Sequence, residues 1–474
     1  MSNNIIEIEH FNINPFIEAR MLYRSLFKKD DIENFSNIGL LRNFNVENSE
    51  DLLSEVISLL EQRNVDIDQW LIDAHNRNEF DTKSQMYFEN SKGFPVHVGL
   101  LTSMINKGFD ICDLAAMEAN KVLPNSVYID GKTRRFKINK QTIAEYLNVN
   151  VDSIEIYKLV SGWKNDPILS SHYKLYHTDQ TLLGKTGSSL KNLVCDGYIQ
   201  GGHKTFGTVT GRNSQQLTEG FILQAHPWFR SIIKPKPGKA FIKFDWVAQE
   251  PWIAAVMTSD TKLLEGYKSG DLYSAVGKAI DLMPIEANKI THPEERLIAK
   301  LLQLGISYGE GEKSLSGKIN GAKEYLEKHK QQFSTYWEWV ETTIKYSFDK
   351  GYYKGKDGWL YFLFIDTPHH LMKNAPFQIE AGGLLRKAVM LLPEEIDLVA
   401  THHDALYVNC DIKQKEQVID IVTSTMNTAA KQYFNVNSAP FIDYEIFEKC
   451  HYVDKRGKDF FDKVQNIILN KTYN

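Results

Sequence analysis

The chain has 474 residues, room for two to four folding units at roughly 100–200 residues each, and its 42% hydrophobic and 24% charged content is that of a globular protein. No apolar run is long enough to span a membrane and the N-terminus has no basic region leading into an apolar core, which argues against a membrane or secreted protein and for a cytoplasmic one. A net charge of −5 excludes a uniformly basic nucleic-acid binder, and Cys112, Cys195, Cys410 and Cys450 are too scattered for a disulfide framework or a cysteine zinc site.

The elements follow in chain order. The first 80 residues hold 15 Asp and Glu against 7 Lys and Arg and read as an acidic helical leader. In it, Asn48-Ser49 can cap a stripe of Leu52, Leu53, Val56, Ile57, Leu59 and Leu60. Residues 81–200 remain largely helical. Residues 184–240 carry eight bases and two acids, a charge balance that suits a phosphate backbone and equally suits a solvated loop. The breaker Pro235–Gly238 then leads into an apolar, strand-like run, Ala240–Phe244. Helical patterns return over 252–350, and a strand pair is predicted near 397–409 around His402-His403-Asp404. Strands set among long helices predict an α+β fold.

Three features carry chemistry. Asp245 ends the apolar run and Asp404 sits at a predicted tight hairpin, so pairing of the two strands would bring both carboxylates to one sheet edge. Converging carboxylates suit Mg²⁺, which takes hard oxygen ligands and leaves positions for water and phosphates. An isolated Asp is more often a turn or cap residue. The third feature is the helix starting at Thr291–Glu295, with Pro293 early and acids in its first turn. It presents Arg296, Lys300, Leu304 and Tyr308 at four-residue steps, so two cations, an apolar residue and an aromatic ring share one face. That order suits a nucleoside triphosphate, and an amphipathic helix with a solvated cationic end would show it too. Gly305 and Gly309 beside the aromatic point to close approach of another group, or at Gly309 to the helix end.

Taken together, Asp245…Glu250, Arg296–Gly309 and His403-Asp404 resemble, in order, motifs A, B and C of the family A DNA polymerases. Asp196–Ile199 with Gly207–Arg212, Asn374–Gln378, and Glu89–Val96 resemble further elements of that family, so the resemblance extends over about 85–460. It implies a right-hand polymerase fold with an antiparallel palm sheet. The divisions would be an acidic extension at 1–84, thumb at 85–200, palm at 201–262 and 365–474, and fingers at 263–364.

The resemblance also implies roles. Asp245 and Asp404 would hold two Mg²⁺ ions, with Mn²⁺ as an alternative, helped by the backbone carbonyl after Asp245. Arg296 and Lys300 would grip the triphosphate of a dNTP, Leu304 would lie against the new base pair, and Tyr308 at the templating position. Glu250 matches the gate that excludes a ribose 2′-hydroxyl. Arg212, Asn374, Gln378 and His403 would contact the primer–template near the growing end, and the lysines of 184–240 its backbone. Partners would be primer–template DNA and dNTPs, with the acidic extension open to a replication protein or serving as a buttress. Too few residues precede the module for a proofreading exonuclease, so none is expected. A phage, plasmid or mobile-element setting is expected.

Several positions depart from the family pattern. Ala405 stands where Glu is usual, Leu304 where Phe or Tyr is usual, Trp252 and His370 where Arg is common, and Tyr273 where His is common. Two alternatives follow: a catalytically weakened, polymerase-derived nucleic-acid-binding protein, and a single-subunit RNA polymerase or primase, against which Glu250 argues. Two look-alikes fail. Gly184-Lys185-Thr186 has Asp179 where a Walker loop needs glycine, and His402-His403-Asp404 lacks a further zinc ligand at metal spacing.

Overall fold

The computed structural model describes residues 57–469 apart from 59, 155–161, 185–188, 202, 216, 218–219 and 364–366. Most of the leader, with its cap at Asn48-Ser49, lies outside the described residues, as do Lys185 and Thr186.

Helix α1 (Ile67–Asn90) starts at Asp66, whose carboxylate accepts from the Gln69 amide. After it come β1 (Phe94–Pro95), α2 (Val98–Asn106), α3 (Gly108–Val122), the hairpin β2 (Val127–Ile129) and β3 (Phe136–Ile138), α4 (Lys140–Leu147), α5 (Ser170–Leu183) and β4 (Tyr198–Ile199). β4 returns to pair with β1. The next strand is β5 (Lys239–Trp246), followed by α6 (Gln249–Thr258), α7 (Thr261–Lys268), α8 (Leu272–Ala279), α9 (Pro293–Ser307), α10 (Glu312–Ser316), α11 (Ala322–Gln332) and α12 (Ser334–Lys350). The hairpin β6 (Tyr352–Lys354) and β7 (Leu360–Phe362) leads to α13 (Ala375–Leu391), β8 (Asp397–His402), β9 (Ala405–Asp411), α14 (Lys415–Phe434), β10 (Ile442–Phe447) and α15 (Lys458–Ile468).

β5, β8, β9 and β10 form one antiparallel sheet in the order β10-β5-β9-β8, so the expected α+β class and the expected strand pairing are both present. The sheet explains why Ala240–Phe244 does not alternate with polar residues. Successive side chains point to opposite faces, and here both faces are covered. Ala240, Ile242, Phe244 and Trp246 join a core with α6, α13 and α14, while Phe241 joins a second core with Tyr407, Phe447 and the aromatic residues of α15. Along that second face β5 changes from Phe241 to Lys243 to Asp245, so the apolar strand ends on a charged rim.

The division expected at residue 84 falls inside α1, a continuous helix that packs on β8 and α13. Lys83 donates to the Met390 carbonyl at 2.8 Å, and the Tyr87 hydroxyl donates to that of Leu392. Over residues 67–90 the chain is therefore a buttress of the central sheet. Among the described residues no helix is long and apolar enough to cross a membrane.

Candidate active site

The β8–β9 hairpin turns through His403-Asp404, with His402 paired to Ala405. His403 adopts φ +58°, a left-handed conformation that costs a non-glycine residue about 1–2 kcal/mol and that the two paired strands impose. The turn delivers Asp404 beside Asp245, because Asp245 lies opposite Ala405 in the β5–β9 register. Asp245 Oδ1 is buried without a donor while both carboxyls are ionised, and a proton on Asp404 can bridge the two. Burial first, then the charge of Asp245 and hydrogen bonding to it, raise the Asp404 carboxyl well above the ordinary carboxylate range. Asp245 Oδ2 accepts from Lys243 Nζ at 2.7 Å. Burial alone would lower the Lys243 ammonium, but the charge and hydrogen bond of Asp245 hold it above the usual lysine value.

Among the described residues no three His, Cys, Asp or Glu side chains surround a common metal position. His402, His403 and Asp404 are therefore not a zinc set. Two carboxylates with an undonated buried oxygen do suit Mg²⁺, whose remaining positions go to water and phosphate oxygens.

Around this pair stand Arg212, Glu250, Gln378, His403 and Tyr308. Arg212 Nη2 donates to Glu250 Oε1 at 2.6 Å and its Nε to the Gln378 carbonyl at 3.2 Å. The loop carrying Arg212 is held by Gly211, at φ +73°, where a Cβ would lie 2.7 Å from the Trp359 ring. Arg386 donates to the Gly211 carbonyl at 2.6 Å and to Asp357 at 2.7 Å, and Trp359 Nε1 donates to the Val209 carbonyl at 3.1 Å. Glu250 lies in the first turn of α6, where a helix start favours an acid. Its charge, ahead of burial, raises the Tyr308 hydroxyl, which also feels Asp404. Burial and then the Arg212 charge lower the His403 imidazole.

The predicted helix is α9, with Pro293 at its start. Arg296, Lys300 and Leu304 are half-buried along one face and Tyr308 is exposed at its end. Arg296 Nε donates to both oxygens of Asp271, at 2.9 and 2.8 Å. Arg296 and Lys300 both lie over the Tyr273 ring, at 5.5 and 5.6 Å from its centroid. The two glycines have different reasons. Gly305 packs against Leu315, where a Cβ would come within 2.6 Å of a methyl carbon. Gly309, at φ +76°, ends the helix: its amide bonds the Ile306 carbonyl and that of Glu310 bonds Gly305.

Asn374 lies where the end of α9 meets the start of α13. It is buried, and its amide donates to the Ser307 carbonyl at 2.9 Å, tying the end of α9 to the start of α13. The basic segment 184–240 does not form one surface. Arg230 is buried against Asp454, and Lys239 pairs with Asp411 at the opposite end of β5 from Asp245. Charge summed along a chain does not report where each base points. Asp179 lies within α5, bonded to Arg135, which removes the Walker look-alike. Lys243 and Asp271 escape motif reasoning. The signal for Lys243 was a cation two residues before Asp245 on a strand, hence on the same face.

A model described as DNA polymerase family A matches residues 132–440, about two thirds of the chain. DNA polymerase I of Aquifex aeolicus (strain VF5) is 28% identical over 260 residues, 51% of this chain and 44% of that relative. The chain thus covers less than half the length of this curated relative. The solved POL domain of Pol1 from M. smegmatis, in complex with DNA primer–template and dNTP, superposes with a TM-score of 0.64 at 17% identity, covering 85% of this chain and 74% of that one. The likeness places this chain in the same right-hand fold. With the matched segment enclosing Asp245, the α9 face and Asp404 in order, the chain belongs to DNA polymerase family A.

Proposed function

We propose that this chain is a template-directed DNA polymerase that adds dNTPs to a primer 3′-hydroxyl, with Asp245 and Asp404 holding two Mg²⁺ ions or, alternatively, Mn²⁺. The observation that carries this reading is the meeting of two half-buried carboxyls at one end of the sheet, Asp245 from β5 and Asp404 from the β8–β9 turn. When bound, such ions activate the attacking hydroxyl and stabilise the leaving pyrophosphate.

The protein's own groups bind and orient. Arg296 and Lys300 take the triphosphate and offset charge that develops during transfer. Leu304 lies against the new base pair and Tyr308 at the templating base. Glu250, fastened by Arg212, fills the space of a ribose 2′-hydroxyl. Arg212, Asn374, Gln378 and His403 contact the primer–template near the growing end, and Asn374 also holds the end of α9. Closure of α9 on the dNTP completes the site. The relative solved with primer–template and dNTP supports DNA and dNTPs as ligands. Residues 85–200 act as thumb, 201–262 and 365–474 as palm, and 263–364 as fingers. The acidic residues 1–84 offer a contact for a replication protein, and a phage, plasmid or mobile element is the proposed setting.

Primer extension with dNTPs alone, NTPs alone, or both tests the reading. Extension only with dNTPs is expected. Extension only with NTPs points to an RNA polymerase, and binding without extension to a polymerase-derived nucleic-acid-binding protein, which the loss of a carboxylate at Ala405 would favour.

A further inference from the structure

A lysine stands inside the carboxylate site. Lys243 Nζ lies 2.7 Å from Asp245 Oδ2, and the two side chains are 19% and 32% exposed. They project from the same face of β5 because they are two residues apart. Glu445, opposite Lys243 on β10, is the next acid within reach, at 3.9 Å and 62% exposed. The second oxygen of Asp245, Oδ1, is buried and takes no donor from the protein. Opposite Asp245, β9 presents the buried methyl of Ala405 and β10 the exposed carboxylate of Asp443. Lys243 is thus the cation bonded to Asp245 on a sheet face that also carries the acids Asp443 and Glu445 of β10.

We propose that Lys243 is a built-in counter-ion of Asp245: it occupies Oδ2, leaves Oδ1 as the oxygen open to a divalent cation, and weakens that cation's binding. Lys243 is a positioning residue, acting through Asp245. The inference rests on the metal-binding reading given above. Two carboxyls pressed together at the rim of a strand repel each other, and a lysine bonded to one of them relieves that repulsion before any ion arrives. The same ammonium repels an incoming divalent ion. Its distance of a few ångströms makes the interaction large, and partial exposure screens it, so the net effect on cation affinity is about tenfold.

The test is Mn²⁺ binding to the full chain, followed by the loss of the free-ion electron paramagnetic resonance signal, without DNA or nucleotide. Wild type is compared with Lys243→Met, Lys243→Gln and Lys243→Arg, each first shown to be folded by its thermal melt. The neutral Gln variant stands in where Met does not fold. About tenfold tighter Mn²⁺ binding is expected for the neutral variants, with Lys243→Arg within about twofold of wild type. A lower Mg²⁺ concentration for half-maximal extension should accompany it. Unchanged or weaker Mn²⁺ binding in the neutral variants overturns the counter-ion role. Mn²⁺ binding that neither Asp245→Asn nor Asp404→Asn alters overturns the metal site itself, and the inference with it.

Discussion

Arg212 grips Glu250 at 2.6 Å while its Nε holds the Gln378 carbonyl at 3.2 Å, so one guanidinium joins the start of α6 to the first turn of α13. Both side chains are about four-fifths covered, which spares the pair most of the solvent screening that weakens surface ion pairs. Glu250→Ala removes the proposed gate and frees Arg212. Ribonucleotide incorporation is expected to rise about tenfold or more relative to the matched dNTP in single-nucleotide extension. Unchanged sugar discrimination would show that Glu250 is not the gate.

Asp404→Asn keeps the size of the turn residue and one acceptor oxygen, and removes its charge. Extension should fall by roughly 10³-fold, with primer–template affinity, read by fluorescence anisotropy, within about threefold of wild type. Undiminished synthesis would refute the metal role.

Asp271 and Arg296 form the anchor of the α9 face. Hydrogen bonds from Arg296 and Ser274 overcome burial and hold the Asp271 carboxyl below its usual value. Arg296→Ala is expected to lower kcat/KM for dNTP by about 10–100-fold. Asp271→Asn should produce a smaller loss, mainly in KM, because it loosens Arg296 without removing it. Steady-state kinetics with a defined primer–template separates the two, and a larger loss for Asp271→Asn would contradict this ordering.

Glu380 on α13 is buried and accepts from Tyr433 at 2.8 Å, from Tyr353 at 3.1 Å and from the Lys356 amide at 3.1 Å. Burial, and then the nearby Asp357, push its carboxyl up to about 7. In the unfolded chain it would titrate near the ordinary glutamate value of about 4.3. The folded state therefore retains a proton that the unfolded state has lost. This contribution to stability is complete below the unfolded value and declines as pH rises through about 7. Glu380→Gln should flatten the dependence of Tm on pH between about 4.5 and 7. A wild-type profile with the same slope as the variant would show that Glu380 does not titrate in this window.

What could be read without coordinates was local. The breaker before Lys239, the two strands around His403-Asp404, and Pro293 opening α9 all follow from near-neighbour chemistry, and each stands within a residue or two of its expected place. The family motifs were equally visible because each occupies a short window. The leader was harder. For its last helix, α1, a protein contact and a buttress stayed equally open, since nothing in residues 67–90 states that Lys83 and Tyr87 will reach carbonyls beyond residue 389.

Periodicity and residue type were enough to specify strands that end in carboxylates and a helix that lines up two cations with an aromatic ring. Long-range packing decided what those groups touch. Asp245 and Asp404 are 159 residues apart, and the β5–β9 register alone brings them together. It was also tertiary structure that turned Asn374 inward to Ser307, buried Arg230 and laid Lys243 on Asp245. The reason is physical: local rules act over one or two turns of backbone, whereas charge pairing and burial depend on which distant segments the folded core holds side by side.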